Sequence, residues 1–163
     1  MAETSVAEKS VRVYADTSVF GGAFEPEFEG ASGRFFDNVR NGRFRLVLSA
    51  IVEDEIIGAP GAVRALFAEI YNMAEVIEPD DQAFVLQKAY VKRGIVGEKW
   101  GADALHVALA TLAGCSLVVS WNFKHIVHLQ RIMLYNEINA LMGLQPIAIC
   151  SPLEVMEYGE EDV

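Results

Sequence analysis

The feature that most constrains this chain is an alternation. Four short runs rich in β-branched or aromatic residues, VRVYA (11–15), FRLVL (44–48), LVVS (117–120) and IAIC (147–150), are separated by longer stretches with apolar residues at helical spacing. Strands joined through helices pair in parallel, because a parallel neighbour needs a crossover too long for a hairpin. The pattern predicts one α/β domain whose short, mostly parallel sheet is covered by helices on both faces. Helices are expected over 33–42, 50–58, 61–73, 82–93, 99–113 and 129–142, with Ser151-Pro152 opening a last short one. Gly21-Gly22 and the segment up to Gly30 break any regular pattern, and residues 1–10 read as a loose leader before a single domain over 11–163.

With 52% hydrophobic and 22% charged residues, the 163-residue chain is neither disordered nor short of apolar material for a core. Its 23 acidic against 13 basic residues give a net charge of -10, which excludes a broad basic platform for nucleic acid. It leaves open a local site where carboxylates gather cations. Cys115 and Cys150 are too few for a disulfide scaffold and read as small buried hydrophobes. No apolar run is long enough for a membrane span, and the N-terminal Glu3 and Glu8 argue against a secretory signal, so the expectation is a cytoplasmic protein without a membrane partner.

Ligands of parallel α/β sheets sit beyond the C-terminal ends of the strands, and three carboxylates stand near such places. Asp16 directly follows the first strand, with Thr17 and Ser18 next. Glu55 lies on the same helical stripe as Val52 and Ile56, with no Lys or Arg between Arg45 and Arg64. Asp103 and His106 are the only titratable side chains across Gly101–Gly114. A carboxylate among apolar residues must be paired, protonated or metal-bound. Near the end of the LVVS run, Ser120 and Asn122 offer a hydroxyl and an amide. Oxygen donors of this kind suit Mg²⁺ or Mn²⁺ better than zinc. A zinc site at His106, His125 and His128 is disfavoured, since no tight Cys/His arrangement accompanies them.

The runs VYADTSVFGG, LSAIVEDEII, GADALHVALATLAG and LVVSWNFKHI resemble a PIN domain, and more narrowly the VapC-like toxins of bacterial type II toxin–antitoxin systems. The resemblance covers about residues 11–155. It implies a three-layer α/β/α fold and a metal-dependent ribonuclease. It implies Asp16, Glu55 and Asp103 as metal-holding catalytic acids, with Asn122 where the family often has a fourth acid. Thr17 and Ser120 are then the small hydroxyls flanking the site, and Lys124 or His125 contacts the substrate backbone. A neutral Asn122 lowers the charge available to a second metal ion. The resemblance further implies Mg²⁺ or Mn²⁺ as cofactor, an RNA substrate, a homodimer and a small antitoxin partner.

Other readings stay open. One is a PIN-like RNA- or protein-binding domain with weak or no nuclease activity; another is a ribonuclease outside any toxin–antitoxin pair. Arg34, Arg40, Arg43, Lys124 and Arg131 are candidates for a basic rim. Trp100 and Trp121 either stack on bases or pack at the edge of the helical layer. The stripes of 61–73 and 82–93 suit either a dimer surface or the core.

Overall fold

A computed structural model describes residues 11–155; the expected leader over 1–10 and the tail from 156 onward lie outside the described residues. The chain runs β1 (Val11–Ala15), α1 (Thr17–Gly22), α2 (Glu29–Arg40), β2 (Phe44–Ser49), α3 (Ala50–Ile56), α4 (Gly61–Tyr71), β3 (Glu75–Ile77) and α5 (Asp81–Arg93). After a 3₁₀ turn at Glu98–Trp100 come α6 (Gly101–Leu112), β4 (Leu117–Val119), α7 (Leu129–Leu141) and β5 (Ala148–Cys150). All the strand pairs are parallel, in the order β3-β2-β1-β4-β5.

This order positions the site. From the central β1 the chain steps outward to β2 and β3 on one side, then returns to lay β4 and β5 on the other. The direction reverses between β1 and β4, and parallel sheets open a crevice beyond the strand ends at such a switch. Asp16 is the first residue past β1 and is tied to β4 there, its N–H donating to the Val119 carbonyl at 3.3 Å. Val13, Tyr14 and Ala15 are fully buried, as expected of a central strand covered on both faces.

The helices fall into two groups, α1 to α4 and α5 to α7, giving the three-layer arrangement. Residues Ala104 to Thr111 of α6 are all buried, which accounts for the almost uninterrupted Ala, Leu and Val of that helix. Val63, Phe67 and Ile70 of α4 and Ala83, Leu86 and Tyr90 of α5 face the core, while Tyr71 and Phe84 of the same stripes stay exposed.

Two elements depart from expectation. The segment after Asp16 forms a helix, α1, despite its paired glycines. The edge strand β3 is three residues long and at most half-buried, so it carries neither the length nor the apolar run of a strand signal. Gly94 ends α5 with φ +85°, a left-handed conformation that favours glycine. Ser151 caps the turn starting at Pro152 through a reciprocal pair with Glu154, both bonds 3.3 Å.

Candidate active site

Asp16 is 4% exposed, and its two oxygens are held separately: Ser18 donates to Oδ1 at 2.6 Å and Ser120 to Oδ2 at 2.8 Å. The same hydroxyls knit the surrounding loop, since Ser18 Oγ accepts from Trp121 N at 2.8 Å and Ser120 Oγ accepts from Asn122 N at 2.9 Å. Burial raises the Asp16 carboxyl above its ordinary value, and the charge of Glu55 adds to this. The charge of His106 and the two hydroxyls act in the opposite direction.

Glu55 is not buried in an apolar stripe as the sequence suggests. Val52 and Ile56 take the inward positions of α3, and the Glu55 side chain is 39% exposed. It reaches across the strand ends, where Oε1 accepts from Thr17 Oγ1 at 2.8 Å and meets His106 Nε2 at 2.7 Å. Behind it runs a buried chain: His106 Nδ1 lies 2.6 Å from the Tyr14 hydroxyl, which lies 2.7 Å from Ser49 Oγ. Desolvation disfavours charge on both Glu55 and His106. Their mutual hydrogen bond and charge outweigh it, lowering the Glu55 carboxyl and raising the His106 imidazole. A protonated His106 donates from both ring nitrogens, leaving Tyr14 free to donate to Ser49.

Asp103 opens α6, and its Oδ2 meets His125 Nδ1 at 2.9 Å. His125 is buried, its carbonyl accepts from Tyr135 Oη at 2.9 Å, and its ring lies 4.7 Å from that of Trp100. The two acids expected to lack a basic partner therefore each have an imidazole. A sequence scan for Lys and Arg misses such partners because they come from distant segments. Asn122 serves the loop: its Oδ1 accepts from Lys124 N at 3.2 Å and His125 N at 2.9 Å. That places its carbonyl in the turn that presents Lys124 and His125.

The fold thus brings Asp16, Glu55 and Asp103 around His106, which senses the charge of all three. They do not form a ready-made cage: among the described residues no three His, Cys, Asp or Glu side chains are gathered closely enough to hold a metal ion. Like charges repel, and each carboxylate has taken local donors instead. The donor chemistry nonetheless fits a hard divalent cation. Among the described residues none of the three pairs with Lys or Arg, and Glu55 Oε2 and Asp103 Oδ1 carry no hydrogen bond. Tyr14 is not visible from the sequence as a site residue, since its contacts lie 35 and 92 residues away; Ser18 stands two residues from the Asp16 it binds. His106 was visible as the one titratable companion of Asp103.

A buried Asp at the switch point of a five-stranded parallel sheet, two further acids and this order of elements define a PIN-like α/β/α domain. No protein-family model and no curated protein matches the sequence. Among solved structures the chain is similar to VapBC2 from Rickettsia felis bound to a DNA fragment from its promoter, with a TM-score of 0.54 and 11% identity over 86% of this chain and 98% of that one. It is also similar to VapC20 of Mycobacterium tuberculosis, a sarcin–ricin-loop-cleaving toxin, with a TM-score of 0.50 and 14% identity over 69% and 92%. The chain has a VapC-like PIN fold.

Proposed function

We propose that the protein is a divalent-metal-dependent endoribonuclease and the toxin of a toxin–antitoxin pair, with Asp16, Glu55 and Asp103 holding Mg²⁺ or Mn²⁺. The observation that carries this reading is Asp16: a carboxylate 4% exposed, without Lys or Arg, at the switch point between β1 and β4. Unpaired burial of that kind is costly and is offset by a cation. The VapC-like fold supports the same conclusion.

When bound, such a cation lowers the pKa of an attacking water and offsets charge on the phosphate. The chain's own residues do the positioning. Ser18 and Ser120 fix both Asp16 oxygens. Thr17 and His106 aim Glu55 while leaving Oε2 open. His125 holds one oxygen of Asp103 and leaves the other open. Asn122 shapes the turn that sets Lys124 beside the site, where an ammonium can meet a substrate phosphate. Hydrolysis in this arrangement leaves a 5′-phosphate and a 3′-hydroxyl.

The likeness to the VapBC2 complex supports an antitoxin partner; a homodimer and an RNA substrate belong to the same proposal. No helix among the described residues is long and apolar enough to cross a membrane, in keeping with a cytoplasmic role. A second reading, a PIN-like binding domain that does not cut, is favoured by the spread of the three carboxylates and by Asn122 in the fourth position.

The test is cleavage of a panel of structured RNAs with Mg²⁺, with Mn²⁺ and with chelator, using Asp16→Asn and Asp103→Asn as controls. The nuclease reading expects metal-dependent cuts with 5′-phosphate ends that both variants abolish. RNA binding without cleavage under any metal condition establishes the second reading instead.

A further inference from the structure

Two pairs of lysines lie beside the start of α6, Lys88 and Lys92 on α5 and Lys99 and Lys124 at the Trp100 ring. Lys88 and Lys92, one turn apart on α5, line an open groove of about 770 Å³ between α5, the 94–97 loop and the start of α6. Lys99 and Lys124 place their ammonium groups 5.1 and 5.5 Å from the ring centre of Trp100. All four are exposed, and among the described residues none makes an ion pair. Two of the arginines expected to form a basic rim are engaged elsewhere. Arg40 is tied to Glu69 and Asp37, and Arg131 donates to the Lys124 carbonyl at 2.6 Å and to that of Ile95. Arg131 thereby fastens the Lys124 segment to the 94–97 loop that lines the groove.

Trp100 sits between this cluster and the acids. Its indole is 39% exposed, and its ring neighbour His125 is bonded to Asp103. Trp121 is built for another task. It donates from Nε1 to Ser32 Oγ at 2.8 Å and stacks on Phe28 with ring centres 4.1 Å apart.

We propose that single-stranded RNA runs from the acidic centre across Trp100, which stacks one base next to the scissile phosphate, and into the groove, where Lys88 and Lys92 contact the following phosphates. This rests on the ribonuclease reading and adds to it a path and a strand state. An unpaired base offers a π-face to an indole, whereas a paired and stacked base does not. On stacking, the ammonium groups of Lys99 and Lys124 shift from the ring toward the phosphates flanking the base. Gly94, Gly97 and Gly101 line the groove without side chains, and Glu98 is the one carboxylate among the groove-lining residues. In a chain of net charge -10, two ammonium groups at an open ring and two more along the groove favour a polyanion carrying planar groups. An acidic peptide would use the charges but not the ring.

The test measures binding of a labelled single-stranded oligonucleotide to the cleavage-silenced Asp16→Asn chain in Mg²⁺ buffer, and KM and kcat in the active chain. Trp100→Ala should weaken binding about tenfold and raise KM with kcat kept, and Trp100→Phe should fall between. Lys88→Ala with Lys92→Ala should flatten the log–log salt dependence by about 1.4, at about 0.7 per lost phosphate contact. Tryptophan fluorescence should quench on binding and lose most of that response in Trp100→Phe. Unchanged affinity, salt slope and KM in folded Trp100 and lysine variants, with wild-type cleavage intact, overturn the path and leave the nuclease standing. So does displacement of the RNA by polyglutamate of matched charge, equally from parent and Trp100→Ala. A wild-type chain that neither binds nor cuts RNA overturns both.

Discussion

The Asp16 side and the Asp103 side of the site are built on opposite plans. Around Asp16 everything is closed: two serines hold its oxygens, Trp121 is wedged against Phe28 and Ser32, and the carboxylate is 4% exposed. Around Asp103 the side chain is 21% exposed, its single partner is an imidazole, and the neighbouring tryptophan faces outward between two lysines. Under the proposed function the site holds a cation in fixed geometry and also admits a long polymer, which needs both plans. The closed side supplies preorganisation at no cost during reaction, and the open side supplies access.

The largest expected effect breaks the closed side at its centre. Asp16→Asn keeps the volume and some of the hydrogen bonds but removes the charge, and cleavage should fall on the order of 10³-fold. Because burial raises the Asp16 pKa, the same change should leave the fold at least as stable at neutral pH, as read by urea unfolding.

Next comes the wedge. A Cβ on Gly22 would lie 2.5 Å from Trp121 Nε1 and 2.7 Å from its Cδ1, on an indole already fixed by Ser32 and Phe28. Gly22→Ala should cost about 2 kcal/mol by overpacking and displace the Ser120–Asn122 turn. Gly21 has nothing within 4 Å of an added Cβ, so Gly21→Ala should change stability by less than about 1 kcal/mol, and in the stabilising direction. Thermal melts of the two neighbours should diverge.

The buried link between the two sides is His106. His106→Asn should cost about 2 kcal/mol, the scale of a lost hydrogen bond to a charged partner, and should loosen Glu55. The raised His106 pKa has a definite sign: its stabilisation is fully present below the ordinary 6.5 and is lost as pH rises through the folded value. Glu55, lowered from 4.5, contributes above that value and loses its share as pH falls through the folded one. Asp16, raised from 3.8, works with His106, since its ionisation in the folded state is penalised as pH rises. Urea midpoints should therefore be higher near pH 5.5 than near pH 8.5, and His106→Asn should reduce that difference.

What the sequence made legible follows the same division. The β/α alternation, the strand β1 and the buried character of α6 could all be read, because strand and helix periodicities are local properties. Asp16 and Asp103 stood out against apolar neighbours for the same reason. The edge strand β3 could not be read, since Glu75–Ile77 is short and only partly covered. Helix α1 was hidden by two glycines, one of which is required by Trp121 and not by a turn. Tyr14 and the lysine pairs acquire meaning only when segments tens of residues apart meet. Asn122 has a task the pattern did not show: its Oδ1 accepts from two backbone N–H groups and shapes a turn.

The central claim is that Asp16, Glu55 and Asp103 jointly hold one divalent cation although they are not gathered into a cage beforehand. Calorimetric titration of Mn²⁺ into the wild-type chain and into Asp16→Asn, Glu55→Gln and Asp103→Asn tests it most directly. Binding in the wild type that weakens at least about tenfold in each variant is the predicted result. No binding in the wild type, or binding that any one of the three changes leaves untouched, would contradict it.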